Sequence, residues 1–257
     1  MEIQGHIKEL LKRIRITIIS FIVLFVASFV FAKPVVLWLL AQGEQGGIHV
    51  KYVYLYPQEL FMQYFSMGIL LAFVLCIPVL IYNVIRFISP AMEENKISLY
   101  VGAIFSELLF IGGVAFALII MTPFVMSYFS EINMASGIPG MVSVEKYLGF
   151  IKSMTLAFGI VFEIPIVSVL FVQLGVLSTQ TMKKIRPVVV VITFIVAAMI
   201  TPPDILSQFM VAIPMLVLYQ VSILLSTIIE KKKNKKNKKE VEKEPEHFGE
   251  ESEASVC

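Results

Sequence analysis

The sequence predicts an all-α integral membrane protein of six transmembrane helices, with both termini on the cytoplasmic side and the fifth and sixth helices short. Three observations carry that expectation. Of 257 residues, 58% are hydrophobic and only 16% charged, and the mean hydropathy is +0.85, a composition that excludes an ordinary water-soluble globule. The charges that remain divide the chain into apolar runs of membrane-crossing length. Basic residues are also distributed unevenly between alternate connections. At roughly 20 residues per spanning helix, the chain accommodates about six spans and a tail, without a large extramembrane domain.

The spans follow in order from the distances between charges. The 17 uncharged residues between Arg15 and Lys33 define span one, placed at 16–36, and the 26 between Glu59 and Arg86 define span two, at 61–85. Lys96 to Glu131 is broken only by Glu107 and gives span three, at 98–124; Lys152 to Lys183 is broken only by Glu163 and gives span four, at 148–174. From Arg186 to Glu230, 43 residues carry the single charge of Asp204, inside the turn signal Thr201-Pro202-Pro203-Asp204. Two short helices at 187–200 and 206–229, joined by a tight external hairpin at Pro202, Pro203 and Asp204, complete the six. The segment from Val188 to Ile200 covers about 20 Å at ~1.5 Å per residue, less than the ~30 Å hydrocarbon core, so either the bilayer thins there or the helix sits among neighbours. Pro78, Pro123, Pro165 and Pro214 lie within or near the ends of spans, where kinked or broken helices are expected.

Charge distribution sets the orientation. Four basic residues lie at Lys8–Arg15, Arg86 and Lys96 flank the loop between spans two and three, three lie at Lys183–Arg186, and eight follow Glu230. The opposite side receives Lys33, Lys51, Lys146 and Lys152, so the positive-inside rule places both termini in the cytoplasm. Residues 1–229 form the membrane domain. Residues 230–257 hold 8 lysines against 8 glutamates, with few apolar residues, and are expected to be a disordered cytoplasmic tail. The external loops, about 33–58 and 125–147, contain Gly/Pro clusters suited to capping the outer face. A competing reading applies to span one, whose basic start, apolar run and Val30-Phe31-Ala32 resemble a cleavable leader.

The polar residues of the apolar runs are the functional candidates. An ionisable group inside a span costs several kcal/mol unless it is paired, hydrated or neutralised. With the basic residues assigned to span ends, Glu107 and Glu163 have no paired cation, and at least one is expected to be protonated or hydrated in a cavity. Satisfaction by a neighbouring helix backbone, or by Gln173, Gln208 or Gln220, is the alternative. At the amino terminus, Ile7, Leu10 and Ile14 share one helical face while Glu9 and Arg13 lie four apart on another, the pattern of an interfacial amphipathic helix. The loop Ser89-Pro90-Ala91-Met92-Glu93-Glu94-Asn95-Lys96 presents two adjacent carboxylates to the cytoplasm, suited to a basic ligand or simply to solvent.

Catalysis finds little support. The three histidines, His6, His49 and His247, lie outside the spans, so no His-Glu-x-x-His zinc site is encoded, and there is no Gly-rich phosphate loop or nucleotide fingerprint. Cys76 and Cys257 are expected to be free thiols, and no metal, cofactor or nucleic acid is indicated. An intramembrane hydrolase would need two converging acids, for which Glu107 and Glu163 are the candidates. A proton-coupled small-solute transporter using the same two acids is the alternative to a protein-binding role; it lacks an internal repeat and an evident midplane solute site.

The motifs resemble those of the TatC family, the polytopic receptor subunits of the twin-arginine protein translocase. The resemblance runs from His6 to about Gln220 and rests most on Ala157-Phe158-Gly159-Ile160-Val161-Phe162-Glu163-Ile164-Pro165 and on Thr201-Pro202-Pro203-Asp204-Ile205-Leu206-Ser207-Gln208, followed by Ala212-Ile213-Pro214. His6-x-x-Glu9-Leu10-x-x-Arg13, Pro78 and Phe87-Ile88-Ser89-Pro90-Ala91-Met92 add weaker support. The resemblance implies six tilted helices in a cupped arrangement in the cell membrane, a non-enzymatic role, and assembly into homo- and hetero-oligomers with small single-span TatA/TatB-type subunits. It further implies that Glu9 and a loop acid receive the arginine pair of a signal peptide, and that Glu163 faces partner subunits. Carboxylate–guanidinium pairing supplies the chemistry, since arginine offers a planar fork of donors. Three positions depart from the family pattern: Lys96 stands where the loop glutamate usually does, leaving Glu93 or Glu94 to replace it; Leu11 stands for an arginine; and Gln220 stands for a glutamate. Glu107 is not a family feature.

Overall fold

The computed structural model describes residues 2–45, 51–88, 96–135, 141–201 and 204–241. It is almost wholly helical. In chain order the elements are α1 (Glu2–Gln45), β1 (Lys51–Val53), α2 (Glu59–Ile88), α3 (Lys96–Ala115), a π-helical turn (Phe116–Met121), α4 (Thr122–Ala135), β2 (Met141–Ser143), α5 (Val144–Leu174), α6 (Thr179–Lys184), α7 (Arg186–Ile200) and α8 (Ile205–Val241). Helices dominate because hydrocarbon cannot hydrogen-bond a backbone, and a helix satisfies its N–H and C=O groups within one segment. Among the described residues five stretches are long and apolar enough to cross a bilayer: Ile7–Gly43, Glu59–Phe87, Tyr100–Ile132, Val144–Leu174 and Ile205–Lys232.

The sixth apolar helix, α7, has 15 residues and is short as the spacing predicts. The last helix is not. α8 runs for 37 residues through Pro214, and its apolar part, Ile205–Lys232, is a full 28 residues. It also continues past Glu230 into the lysine run as far as Val241, beyond the start expected for a disordered tail. Lysine and glutamate are good helix formers, and a helix already nucleated adds residues cheaply. α1, α2 and α5 likewise pass through Pro34, Pro78 and Pro165 without a break.

Span three is the exception, and its irregularity has a local cause. Pro123 lacks the N–H that would bond the carbonyl one turn earlier, and its ring clashes with that carbonyl in a regular helix. The chain answers with the π-turn just before it: the Thr122 N–H and the Thr122 hydroxyl, at 2.8 Å, both donate to the Ala117 carbonyl, five residues back.

Three buried clusters hold the bundle, and α5 enters all of them. Near its start, Tyr147, Leu148 and Ile151 pack with Ala32, Val36 and Leu39 of α1 and Met67 and Leu70 of α2. In its middle, Met154 and Phe158 meet Ala117, Met121 and Val125 from span three, Ala197 of α7, and Val211, Ala212 and Met215 of α8. Near its end, Val172 meets Met182 of α6 and Tyr219 and Ile223 of α8. Small residues let α3 and α5 approach closely. A Cβ on Gly113 would lie 2.7 Å from the Phe158 carbonyl oxygen, and one on Gly159 would lie 2.9 Å from the Phe110 ring.

The end of the bundle where α5 begins is tied by a parallel strand pair, β1 on β2, in the register Lys51 to Met141 and Val53 to Ser143. Glu59, 4% exposed, reinforces it. Its carboxylate accepts from the Leu55 N–H at 2.7 Å, the Glu145 N–H at 2.9 Å and the Ser143 hydroxyl at 3.4 Å, so an α2 residue satisfies donors at the start of α5. Tyr147 donates to the Leu39 carbonyl at 3.0 Å and packs against Tyr52, with ring centroids 5.1 Å apart.

Gly113→Leu should lower stability by about 1–3 kcal/mol through overpacking against α5, whereas Gly102→Leu, whose Cβ position meets nothing within 4 Å, should change it little; unfolding of the detergent-solubilised protein, followed by near-UV circular dichroism, tests the contrast.

Candidate functional site

The predicted residues fall into three places. The first is the start of α1, where the Arg13 guanidinium donates to Glu9 Oε1 at 3.0 Å across one helical turn. Arg13 is 18% exposed and Glu9 37%. The pair is part-buried, with Arg13 the more enclosed partner, and it orients the Glu9 carboxylate. Further along α1, the Thr17 hydroxyl accepts from the Asn83 amide of α2 at 3.1 Å, which fixes the amino-terminal stretch against the second span. Glu93 and Glu94, the loop acids expected to act with Glu9, lie outside the described residues.

The second place is the middle of the bundle. Glu163 of α5 accepts through Oε2 from the Ser106 hydroxyl of α3, while its Oε1 is buried without a hydrogen-bond partner among the described residues; Glu107, the next residue on α3, has its Oε2 in the same condition. A buried acceptor left unsatisfied costs about 1–3 kcal/mol. Glu163 and Ser106 edge a cavity of about 400 Å³ whose wall is otherwise mostly aliphatic, including Ile77 and Leu80 of α2 and Val167 and Leu170 of α5. Gln173 also lines it. Composition and spacing single out both glutamates but not Ser106; the only hint is its place directly before Glu107 in an otherwise apolar run.

The third place is the α7–α8 connection. Pro202 and Pro203 lie outside the described residues, but both flanks are defined. Thr201 ends α7, its N–H and its hydroxyl each donating to the Ala197 carbonyl at 2.9 Å. Asp204 starts α8: its Oδ2 accepts from the Ser207 N–H at 2.8 Å and its Oδ1 from the Ser207 hydroxyl at 2.5 Å. This is the geometry of an N-cap, a side-chain oxygen satisfying one of the free donors of the first turn. Gln208 then donates from Nε2 to the Phe194 carbonyl of α7 at 2.9 Å, stapling the two helices together. Gln220, on α8, keeps its Oε1 buried and unpartnered.

Two polar anchors have no counterpart in the sequence reading. Glu230 of α8 accepts from the Thr179 N–H at 3.2 Å and from the Thr179 hydroxyl, tying α6 to the far end of α8. Lys152, assigned from spacing to the outer-side charges, lies inside α5 and donates to Gln63 Oε1 at 2.8 Å and Ser66 Oγ at 2.5 Å. No group of His, Cys, Asp or Glu among the described residues is arranged to hold a metal ion.

Several long apolar helices, with polar side chains satisfied between helices rather than in a soluble domain, define a multi-pass helical membrane protein. A family model described as Sec-independent protein translocase protein (TatC) matches residues 5–214, and the chain belongs to the TatC family of the cell membrane. It is 34% identical over 240 residues to Sec-independent protein translocase protein TatCy of Bacillus subtilis, covering 91% of this chain and 92% of that protein. It is 32% identical over 226 residues to the TatC protein of Escherichia coli, covering 86% of each. A crystal structure of the twin arginine translocase receptor TatC matches with a TM-score of 0.80 and 31% identity, over 87% of this chain and 99% of that one.

Asp204→Ala should destabilise the protein by about 1 kcal/mol and Asp204→Asn by much less, because asparagine can still cap the helix; chemical denaturation of the two variants side by side measures the difference.

Proposed function

We propose that this chain is the signal-peptide receptor and core subunit of a twin-arginine translocase, acting without a catalytic step. The observation that carries this is the correspondence with the receptor structure over nearly its full length, and the carboxylates of the amino-terminal stretch give it a chemistry. The arginine pair of a folded precursor's signal peptide is received at the cytoplasmic face by Glu9 together with Glu93 or Glu94. Arg13 keeps Glu9 oriented until an incoming guanidinium, which offers the carboxylate the same donors, takes its place. Bidentate guanidinium–carboxylate pairing then favours arginine over lysine.

In this reading six helices span the membrane, α7 counted among them, with both termini cytoplasmic, residues 1–229 as the membrane domain and residues 230–257 as a cytoplasmic tail. Small single-span subunits of the TatA/TatB type join the chain in a hetero-oligomer that also holds several copies of it. Glu163 serves as the intramembrane contact for such a subunit, whose hydroxyl or amide donor would satisfy the open Oε1. A proton-coupled small-solute transporter is not favoured, since the family covering the chain is one of protein translocase proteins.

Replacing Glu9 by Lys, or Glu93 and Glu94 together by Lys, should reduce crosslinking of a twin-arginine peptide to the purified protein at least about tenfold, roughly the worth of one charge-assisted hydrogen bond, towards the level of a twin-lysine control. Unchanged crosslinking in all of these variants refutes the assignment. Glu163→Ala should abolish copurification of a single-span subunit while leaving peptide crosslinking intact; retained copurification together with retained export would leave Glu163 a structural role only.

A further inference from the structure

We propose that the cavity around Lys152, at the strand-bearing end of the bundle, binds the phosphate headgroup of an anionic phospholipid. The cavity holds about 630 Å³ between α2, α4, α5 and the end of α7. Lys152 stands eight residues into α5, about 12 Å along the helix from its start. A lysine at this depth ordinarily extends along the helix to carry its ammonium to the water boundary. Here the ammonium is instead drawn sideways by Gln63 and Ser66 of α2. Both of those partners are neutral. Among the described residues the only ion pair within 4.0 Å is Glu9 with Arg13, so no carboxylate touches Lys152, although Glu145 attracts it from farther off, and of its three N–H donors two are used by Gln63 and Ser66.

The rest of the wall defines the ligand. Glu145, Lys146 and Lys152 are its charged residues, leaving one positive charge in excess, so the complement is an anion. The remaining wall is largely apolar, with Met126, Phe129 and Ile200 among its residues. A free inorganic anion would leave that apolar surface facing water. A phospholipid meets both parts, its phosphate at the ammonium and its acyl chains against the aromatic and aliphatic wall, and charge-assisted bonds from lysine to phosphate are of the stronger class.

The test uses the full chain in dodecylmaltoside micelles, titrated with phosphatidylglycerol and followed by native mass spectrometry, with phosphatidylcholine and inorganic phosphate as separate arms. One phosphatidylglycerol should bind with higher affinity than the others, and Lys152→Gln should weaken that site about tenfold. Lys152→Arg should retain it. Ser153→Trp, which fills the cavity from an exposed lining position, should remove the site without touching the charge, and Lys51→Gln, an exposed lysine at the same end but outside the lining, should change binding less than twofold. Wild-type affinity in both Lys152→Gln and Ser153→Trp overturns the proposal. So does an equal loss in Lys51→Gln, which would mean diffuse charge attraction, or displacement of phosphatidylglycerol by an equal concentration of inorganic phosphate, which would mean a free-anion site.

Discussion

Inside hydrocarbon, one apolar helix gains nothing from the hydrophobic effect by touching another, so close packing and shared polar contacts must hold the bundle. Here that constraint falls on α5. It contributes to every buried cluster, touching α1 and α2 near its start, span three, α7 and α8 in its middle, and α6 and α8 near its end. The close approach of α3 to α5 at Gly113 and Gly159 is what brings Ser106 of one helix within reach of Glu163 of the other. The glycine in Ala157-Phe158-Gly159 and the acid four residues later thus belong to a single arrangement, the first setting the helix separation at which the second finds its donor.

The polar residues of the spans are placed by the same economy of partners. Asn83 reaches Thr17, Gln208 reaches the α7 backbone, Tyr219 donates to the Met182 carbonyl at 2.8 Å, and Lys152 reaches Gln63 and Ser66. Each neutral bond is worth only about 1 kcal/mol net, and those of the lysine ammonium about 1.5–3, but each crosses between two helices and so fixes their rotation about their axes, which apolar packing alone specifies weakly. Glu163 Oε1, Glu107 Oε2 and Gln220 Oε1 break this pattern. They are acceptors that no described residue satisfies.

Much of this architecture is legible in the sequence, for physical reasons that differ from element to element. Charges are expelled from hydrocarbon, so the runs between them locate the long apolar helices along the chain, though not their ends, and the double proline with Asp204 marks the α7–α8 connection because a helix must stop there and a new one must be capped. The extent of α8 is not legible by that rule, because its lysines end the apolar run without ending the helix. Nor is the π-turn at Phe116–Met121, since a proline announces a disturbance but not how the backbone absorbs it. Lys152 is counted with the outer-side charges, but its partners Gln63 and Ser66 are not legible there, because they come from another helix. Glu59 looks like a span boundary and nothing more until α5 is laid beside it.

The strand pair and Glu59 have a mechanical consequence. Residues 51–53 and 141–143, 90 positions apart in the chain, are bonded in register, and the same carboxylate that anchors the start of α2 also holds the first turn of α5. The two helices are therefore pinned at one end, and farther along Lys152 of α5 reaches Gln63 and Ser66 of α2. A pair of rods fastened this way behaves like tongs: it resists parting at the pinned end and yields at the other. Any widening between α2 and α5 would pivot about the strand pair and be amplified with distance from it, at the opposite end of the bundle, where α1 carries Glu9 and Arg13.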